Sequence, residues 1–192
     1  RLHDVDFVFF VIASKETCGK RFQYYAAATH CAIDSVTYRP VAGYVYVCPY
    51  WLYGNRMELS KWVEVIKHEI THAFVFSRSL FRYFPGAGHY EKEGDLYVIP
   101  NVVDRITRLD WETSRGAMEH DVFVVVTPKV REEARRHFNC STLEGAELEN
   151  HGGIGSAGSH WEKRLFEIMC EVDAEADARM LVKRVGVMRK RV

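Results

Sequence analysis

The sequence is short of several features that would each point to a function. It has no run of eighteen or more apolar residues, so it contains no helix of the kind that crosses a bilayer. It has no excess of either charge: 26 basic residues balance 26 acidic ones, which argues against the basic stripe of a nucleic-acid-binding surface. Its five cysteines, at 18, 31, 48, 140 and 170, form no C-x-x-C pair, which removes zinc knuckles and thioredoxin-type redox motifs. No glycine-rich stretch ends in Gly-Lys-Ser/Thr, so no phosphate-cradling loop is expected. No internal repeat is visible. The first residue is Arg1 and no charged-then-apolar leader follows it. The chain therefore reads as a fragment or processed form, and any leader would lie outside it.

What is present is a 192-residue chain that is 47% hydrophobic, enough for one domain with a core or two small lobes. The odd cysteine count leaves at least one thiol free or partnerless. Together with the acceptor tripeptide Asn139-Cys140-Ser141, the cysteines favour a secreted or cell-surface protein over a cytoplasmic one. Residues 6–13 (DFVFFVIA) read as a buried strand. Residues 22–34 are mixed and alanine-rich and read as irregular. Residues 41–47 (VAGYVYV) form a second strand. Pro40 and Pro49 flank it and Gly43 lies within it, so it is expected at a sheet edge.

Residues 59–76 (LSKWVEVIKHEITHAFVF) place Leu59, Trp62, Val63, Ile66, Ile70, Ala73 and Phe74 on one helical face, with Ser60 as the candidate N-cap. Residues 78–120 read as an insertion with little regular structure beyond 96–99. A strand is expected over 121–127, stopped by Pro128, and a short helix over 130–138. Residues 151–160 (HGGIGSAGSH) carry glycines at 152, 153, 155 and 158 and can only be a loop. From Glu171 an acidic stretch gives way to a basic one, which reads as a solvated charged tail. The division that follows is 1–77, 78–120, 121–170 and 171–192.

The chemistry lies in His68-Glu69-Ile70-Thr71-His72. Helical residues four apart share a face, so His68 and His72 can bind one metal ion through two imidazole nitrogens. Imidazole donors with no redox requirement suit zinc. A bound zinc brings the pKa of its water toward about 7, and Glu69 stands next in the chain to take that proton and pass it to a leaving amine. Catalytic zinc requires a third protein ligand and one open position. No histidine follows His72 at short spacing. Among the seven others, spacing leaves His151 and His160, both on the glycine-bracketed loop.

Those residues carry a resemblance. HEITHAFVFS, followed by ARRHFNCSTLEGAELENHGGIGSAGSHWEKRLFEIM, resembles the leishmanolysin family of metzincin peptidases, most of all its animal-type leishmanolysin-like (invadolysin) branch. RPVAGYVYVCP and DFVFFVIAS are similar to segments preceding the active-site helix in that family. The resemblance implies an α+β metzincin-like core. Its parts are a twisted mixed sheet, an active-site helix, a long insertion and a partial C-terminal lobe. It also implies that His160 is the third zinc ligand, that Met169 lies in the turn beneath the metal, and that the strand at 41–47 binds extended substrate. The expected function is a metalloendopeptidase with one zinc ion and a polypeptide substrate. Nucleic acid is not an expected partner, and membrane association would come only through segments outside the chain.

Three departures from the family pattern stand out. Val75 occupies the position where the family has a helix-breaking glycine, so a left-handed turn there would be strained. His160 and Met169 are closer together than usual, with Cys170 following. The cysteine-rich C-terminal domain has no counterpart in residues 171–192. These departures motivate the alternative function, a catalytically impaired peptidase-fold module acting in protein binding or cell adhesion.

Overall fold

The computed structural model describes residues 5–18, 24–52, 58–93, 96–113, 116–150 and 156–163. They divide into two compact units, one ending at Phe76 and the other starting at Ser77. Secondary structure is mixed α and β, as expected.

The first unit is built on a three-stranded mixed sheet in the order β1-β3-β2. Strand β1 (Val8–Ala13) runs parallel to β3 (Pro40–Val47), and β2 (Ala26–Ile33) runs antiparallel to it. Three expectations are corrected here. The strand at 41–47 is central and not an edge. Pro40 is its first residue and Pro49 lies beyond its end, so neither proline removes an N–H from the interior of the ladder. The alanine-rich stretch is a strand, with register shifts only between His30 and Ile33. Its low intrinsic preference is overridden by pairing with β3 and by the helix packed on it. Finally, β1 is an edge strand whose Phe10, Val11 and Ile12 are exposed among the described residues.

Strand β3 alternates as a half-buried strand should. Gly43, Val45 and Val47 are buried on one face, while Tyr44 and Tyr46 pair on the other with ring centroids 4.9 Å apart. A short helix α1 (Pro49–Leu52) follows. A disulfide from Cys18 to Cys48 ties the 3₁₀ turn Lys15–Cys18 to the end of β3. With its ends 30 positions apart in sequence, such a cross-link stabilises by about 3–4 kcal/mol through the entropy it removes from the unfolded chain.

Helix α2 (Leu59–Phe74) packs against β2 and β3. A Cβ on Gly43 would lie 3.1 Å from the Ala73 Cβ and 2.9 Å from the Thr29 carbonyl oxygen, so a bare backbone is what admits the helix this closely. The N-cap is Glu58, with no side-chain bond, and Ser60 lies inside the helix. The buried α2 residues are Glu69, Thr71 and Ala73, whereas Leu59, Val63 and Phe74 are exposed. The helical period was therefore legible, but the packed stripe lies nearer the polar side than the apolar spacing indicated.

The second unit contains a short hairpin, β4 (Glu91–Glu93) with β5 (Leu96–Val98), and a three-stranded antiparallel sheet in the order β6-β7-β8. Strands β6 (Val103–Thr113) and β7 (Gly116–Val125) form a long hairpin across a segment expected to hold little regular structure. The described outer part of that hairpin is largely solvated, so it lacks the apolar alternation that reveals a strand. Its inner end is the core, where Val122, Val124 and Val126 pack with Ile106. Helix α3 (Pro128–His137) opens on a proline at the position where a missing N–H costs nothing. It buries Val130 and Ala134 and packs on β8 (Ala146–Leu148).

Candidate metal centre

Helix α2 ends where the motif does. Val75 and Phe76 both donate their N–H to the Thr71 carbonyl, and Val75 has φ −153° and ψ −43°. That is outside the left-handed region, so the chain leaves the helix without the conformation that would need glycine. The exit places the buried Phe76 so that its carbonyl accepts from His72 Nδ1 at 2.8 Å. With the Nδ1 proton used there, His72 Nε2 is the nitrogen that carries the lone pair, the form a metal needs. This Nε2 lies 3.0 Å from His68 Nε2. Both rings are half-buried and meet edge-to-face.

Glu69 is buried on the same helix. Burial pushes its carboxyl up to about 7, and a backbone hydrogen bond from Ala28 on β2 pulls only partly the other way. A carboxyl of that kind can both accept and return a proton near neutrality.

His160 belongs to a segment that is folded back by its backbone. Glu149 N–H donates to the His160 carbonyl at 2.9 Å, Gly158 N–H to the Glu149 carbonyl at 2.8 Å, and Glu162 N–H to the Glu147 carbonyl at 2.9 Å. Leu148 and Trp161 form a β-bridge, with both side chains buried. Gly158, at φ 73°, makes the turn that this return requires. The described part of the expected loop is thus docked on the end of β8. His160 Nδ1 faces the Ser156 carbonyl at 3.2 Å and Glu149 Oε2 at 3.4 Å.

One ligand atom from each of His68, His72 and His160 lies within 4.8 Å of the other two. Three such nitrogens could hold a metal ion, and among the described residues no other group of three or more His, Cys, Asp or Glu side chains could. Nitrogens at about 2.0–2.1 Å around a tetrahedral zinc stand roughly 3.3 Å apart, close to the 3.0 Å between the Nε2 atoms of His68 and His72. His151, Met169 and Cys170 lie outside the described residues. Sequence reasoning missed Glu149 and the Phe76 carbonyl. Neither has a local signature, since each matters only through a contact with a histidine ring.

A family model described as leishmanolysin matches residues 2–177. The chain belongs to the leishmanolysin family. Relatives of the animal, leishmanolysin-like type agree with that. The chain is 39% identical over 181 residues to the leishmanolysin-like peptidase of Caenorhabditis elegans, covering 85% of this chain and 27% of that protein. It is 35% identical over 182 residues to the leishmanolysin-like peptidase of Drosophila melanogaster, covering 86% and 26%. It is 30% identical over 165 residues to the ciliated left-right organizer metallopeptidase of Xenopus laevis, covering 85% and 21%. The chain thus spans about a quarter of the length of these curated relatives. The relatives matched are described as peptidases or a metallopeptidase, and three histidines of this chain could hold a metal ion.

Proposed function

We propose that this chain carries the catalytic core of a zinc-dependent endopeptidase that cleaves extended polypeptides. The observation that carries the reading is the convergence of His68, His72 and His160 nitrogens within 4.8 Å, with Glu69 between two of them in sequence. In this reading the three imidazoles hold one zinc ion. When bound, zinc supplies an acidified water, with a pKa near about 7, and polarises the substrate carbonyl. The chain's own residues do the rest. The Phe76 carbonyl holds His72 in the tautomer whose Nε2 can donate a lone pair. Glu69 takes a proton from the attacking water and returns it to the departing amine.

The central position of β3 moves the site for an added substrate strand. The sheet edges that can accept one are β1 and β2, not β3. Secretion or cell-surface display is supported by the Cys18–Cys48 disulfide and by the exposed Asn139 of the acceptor tripeptide. No helix among the described residues is long and apolar enough to cross a membrane. The impaired-module alternative gains nothing from Val75, whose backbone is not left-handed.

The test is metal content of the purified chain together with cleavage of unfolded casein, with and without chelator. One zinc per chain and chelator-sensitive cleavage are expected. Full zinc occupancy with no turnover on any peptide would transfer the assignment to a binding module.

A further inference from the structure

The second unit contains a buried acid that the reading above leaves unused. Glu149 follows directly after β8, and its side chain is only 6% exposed. Taking a carboxylate out of water costs several kcal/mol unless charge and hydrogen bonds repay it. Three side chains meet it. The Ser156 hydroxyl donates to Oε2, Lys163 Nζ stands 3.4 Å from Oε1, and His160 Nδ1 stands 3.4 Å from Oε2. The backbone pairs Glu149 with His160 as well, through the 2.9 Å bond from Glu149 N–H to the His160 carbonyl. The acid and the ring are therefore fixed to each other through main chain and side chain together.

The consequence for the imidazole is specific. Its Nδ1 faces two acceptors, the Ser156 carbonyl and the Glu149 carboxylate, with the Ser156 hydroxyl oxygen beside them at 3.5 Å. The ring proton belongs on that side, which leaves Nε2 with its lone pair. A carboxylate facing the far nitrogen of a histidine also raises the ring's donor strength toward a metal. We infer that Glu149 is a positioning residue for His160, fixing its tautomer and ring orientation for metal binding, with Ser156 and Lys163 holding the carboxylate in place. This inference rests on the proposed role of His160.

The experiment is a zinc-affinity cycle on the full chain, read by competition with a chromophoric chelator. Glu149→Gln keeps the shape and removes the charge. It is expected to weaken zinc binding by about 10–100-fold in the parent, the range for such outer partners. In a His160→Ala background the same change is expected to do nothing further, because the group it acts through is gone. An equal loss in both backgrounds would assign Glu149 a general structural role and overturn the inference, as would no loss in either. Should Glu149→Gln not fold, Ser156→Ala takes its place in the cycle. That change is expected to cost roughly 10-fold, again only where His160 is present. The parent reading fails separately, since zinc binding unchanged by His160→Ala alone would remove His160 as a ligand and the inference with it. A His160→Ala loss with no Glu149→Gln loss overturns the inference only.

Discussion

Helix α2 in the first unit and residues 156–162 in the second carry the candidate ligands, and they reach their local geometry by different means. In α2 the spacing is local. Two histidines four residues apart share a face by the pitch of the helix, and their Nε2 atoms stand 3.0 Å apart. In residues 156–162, local contacts to Ser156 are not enough to place His160. Its position comes from backbone bonds to Glu149, a bridge between Leu148 and Trp161, and a sheet that must first pair β8 with β7. One half is set by covalent neighbours, the other by contacts across the second unit. A substitution should therefore act on α2 through chemistry at the motif, and on the other half through the scaffold that supports it.

The largest expected effect lies within the local half. Glu69→Gln keeps the length and volume of the side chain while removing its proton chemistry. Turnover should fall by about 10²–10⁴-fold, the usual contribution of a positioned general acid–base. Zinc content should stay unchanged, since Glu69 is not in the three-nitrogen set. Single-turnover cleavage of a quenched peptide, with metal analysis of the same sample, checks both. A variant that cleaves as fast as the parent would mean that another group moves the proton.

The same contrast decides what could be read from the sequence. His68, Glu69 and His72 were legible because a helix turns their spacing into geometry. The strand at 103–113 was not, because its described outer residues face water and its ladder with β7 supplies the order that side-chain alternation would otherwise announce. The stretch Ala26-Ala27-Ala28 has little strand preference of its own, and its order comes from pairing with β3. Pro40 and Pro49 suggested an edge because a count of prolines does not reveal that both lie at the limits of the ladder. His160 was singled out from His151 only by resemblance. Glu149 was invisible, since a buried acid after a three-residue strand has no pattern until its partners are located.

Two glycines separate the halves more sharply. Gly145, just before β8, is buried so close to β7 that a Cβ would run into the Val125 carbonyl oxygen, which is main chain and cannot rotate away. Gly43 lies under α2, where a Cβ would meet the Thr29 carbonyl oxygen at 2.9 Å and Ala73 at 3.1 Å. Either change to alanine overpacks a tight site, at about 1–3 kcal/mol. That appears as a drop in Tm of about 2–4 °C per kcal/mol for a chain of this size. Their effects on zinc should differ. Gly43→Ala keeps the His68–His72 spacing, which the helix pitch sets, so the smaller loss of zinc affinity is expected there. Gly145→Ala disturbs the strand on which His160 is docked, so zinc affinity falls along with stability. Equal zinc losses in the two variants would break the distinction between a locally set and a remotely set half.

The smallest effect concerns the support behind β8. The Glu144 carboxylate accepts from Arg108 at 3.0 Å, while the Arg131 and Arg135 Nε–H groups donate to the Glu144 and Leu143 carbonyls at 2.8 Å each. Partial burial pushes the Glu144 carboxyl up. Its backbone hydrogen bond, the Arg108 contact and the charges of Arg108 and Arg135 outweigh that, and hold it below the usual carboxylate range. A lowered folded value contributes stability at pH above the unfolded one, about 4.3, and loses it as pH falls through the folded value. With the side chain 45% exposed, solvent screening limits the contribution to at most about 1 kcal/mol. Glu144→Gln should therefore lower the denaturant midpoint slightly at neutral pH, and the gap should close in acid and in high salt. Zinc affinity should hold, because the Arg131 and Arg135 bonds to backbone carbonyls do not titrate and keep residues 143–144 pinned. A gap that persists in acid would mean that the loss is packing and not charge, and a falling zinc affinity would extend the remote support of His160 back to Arg108.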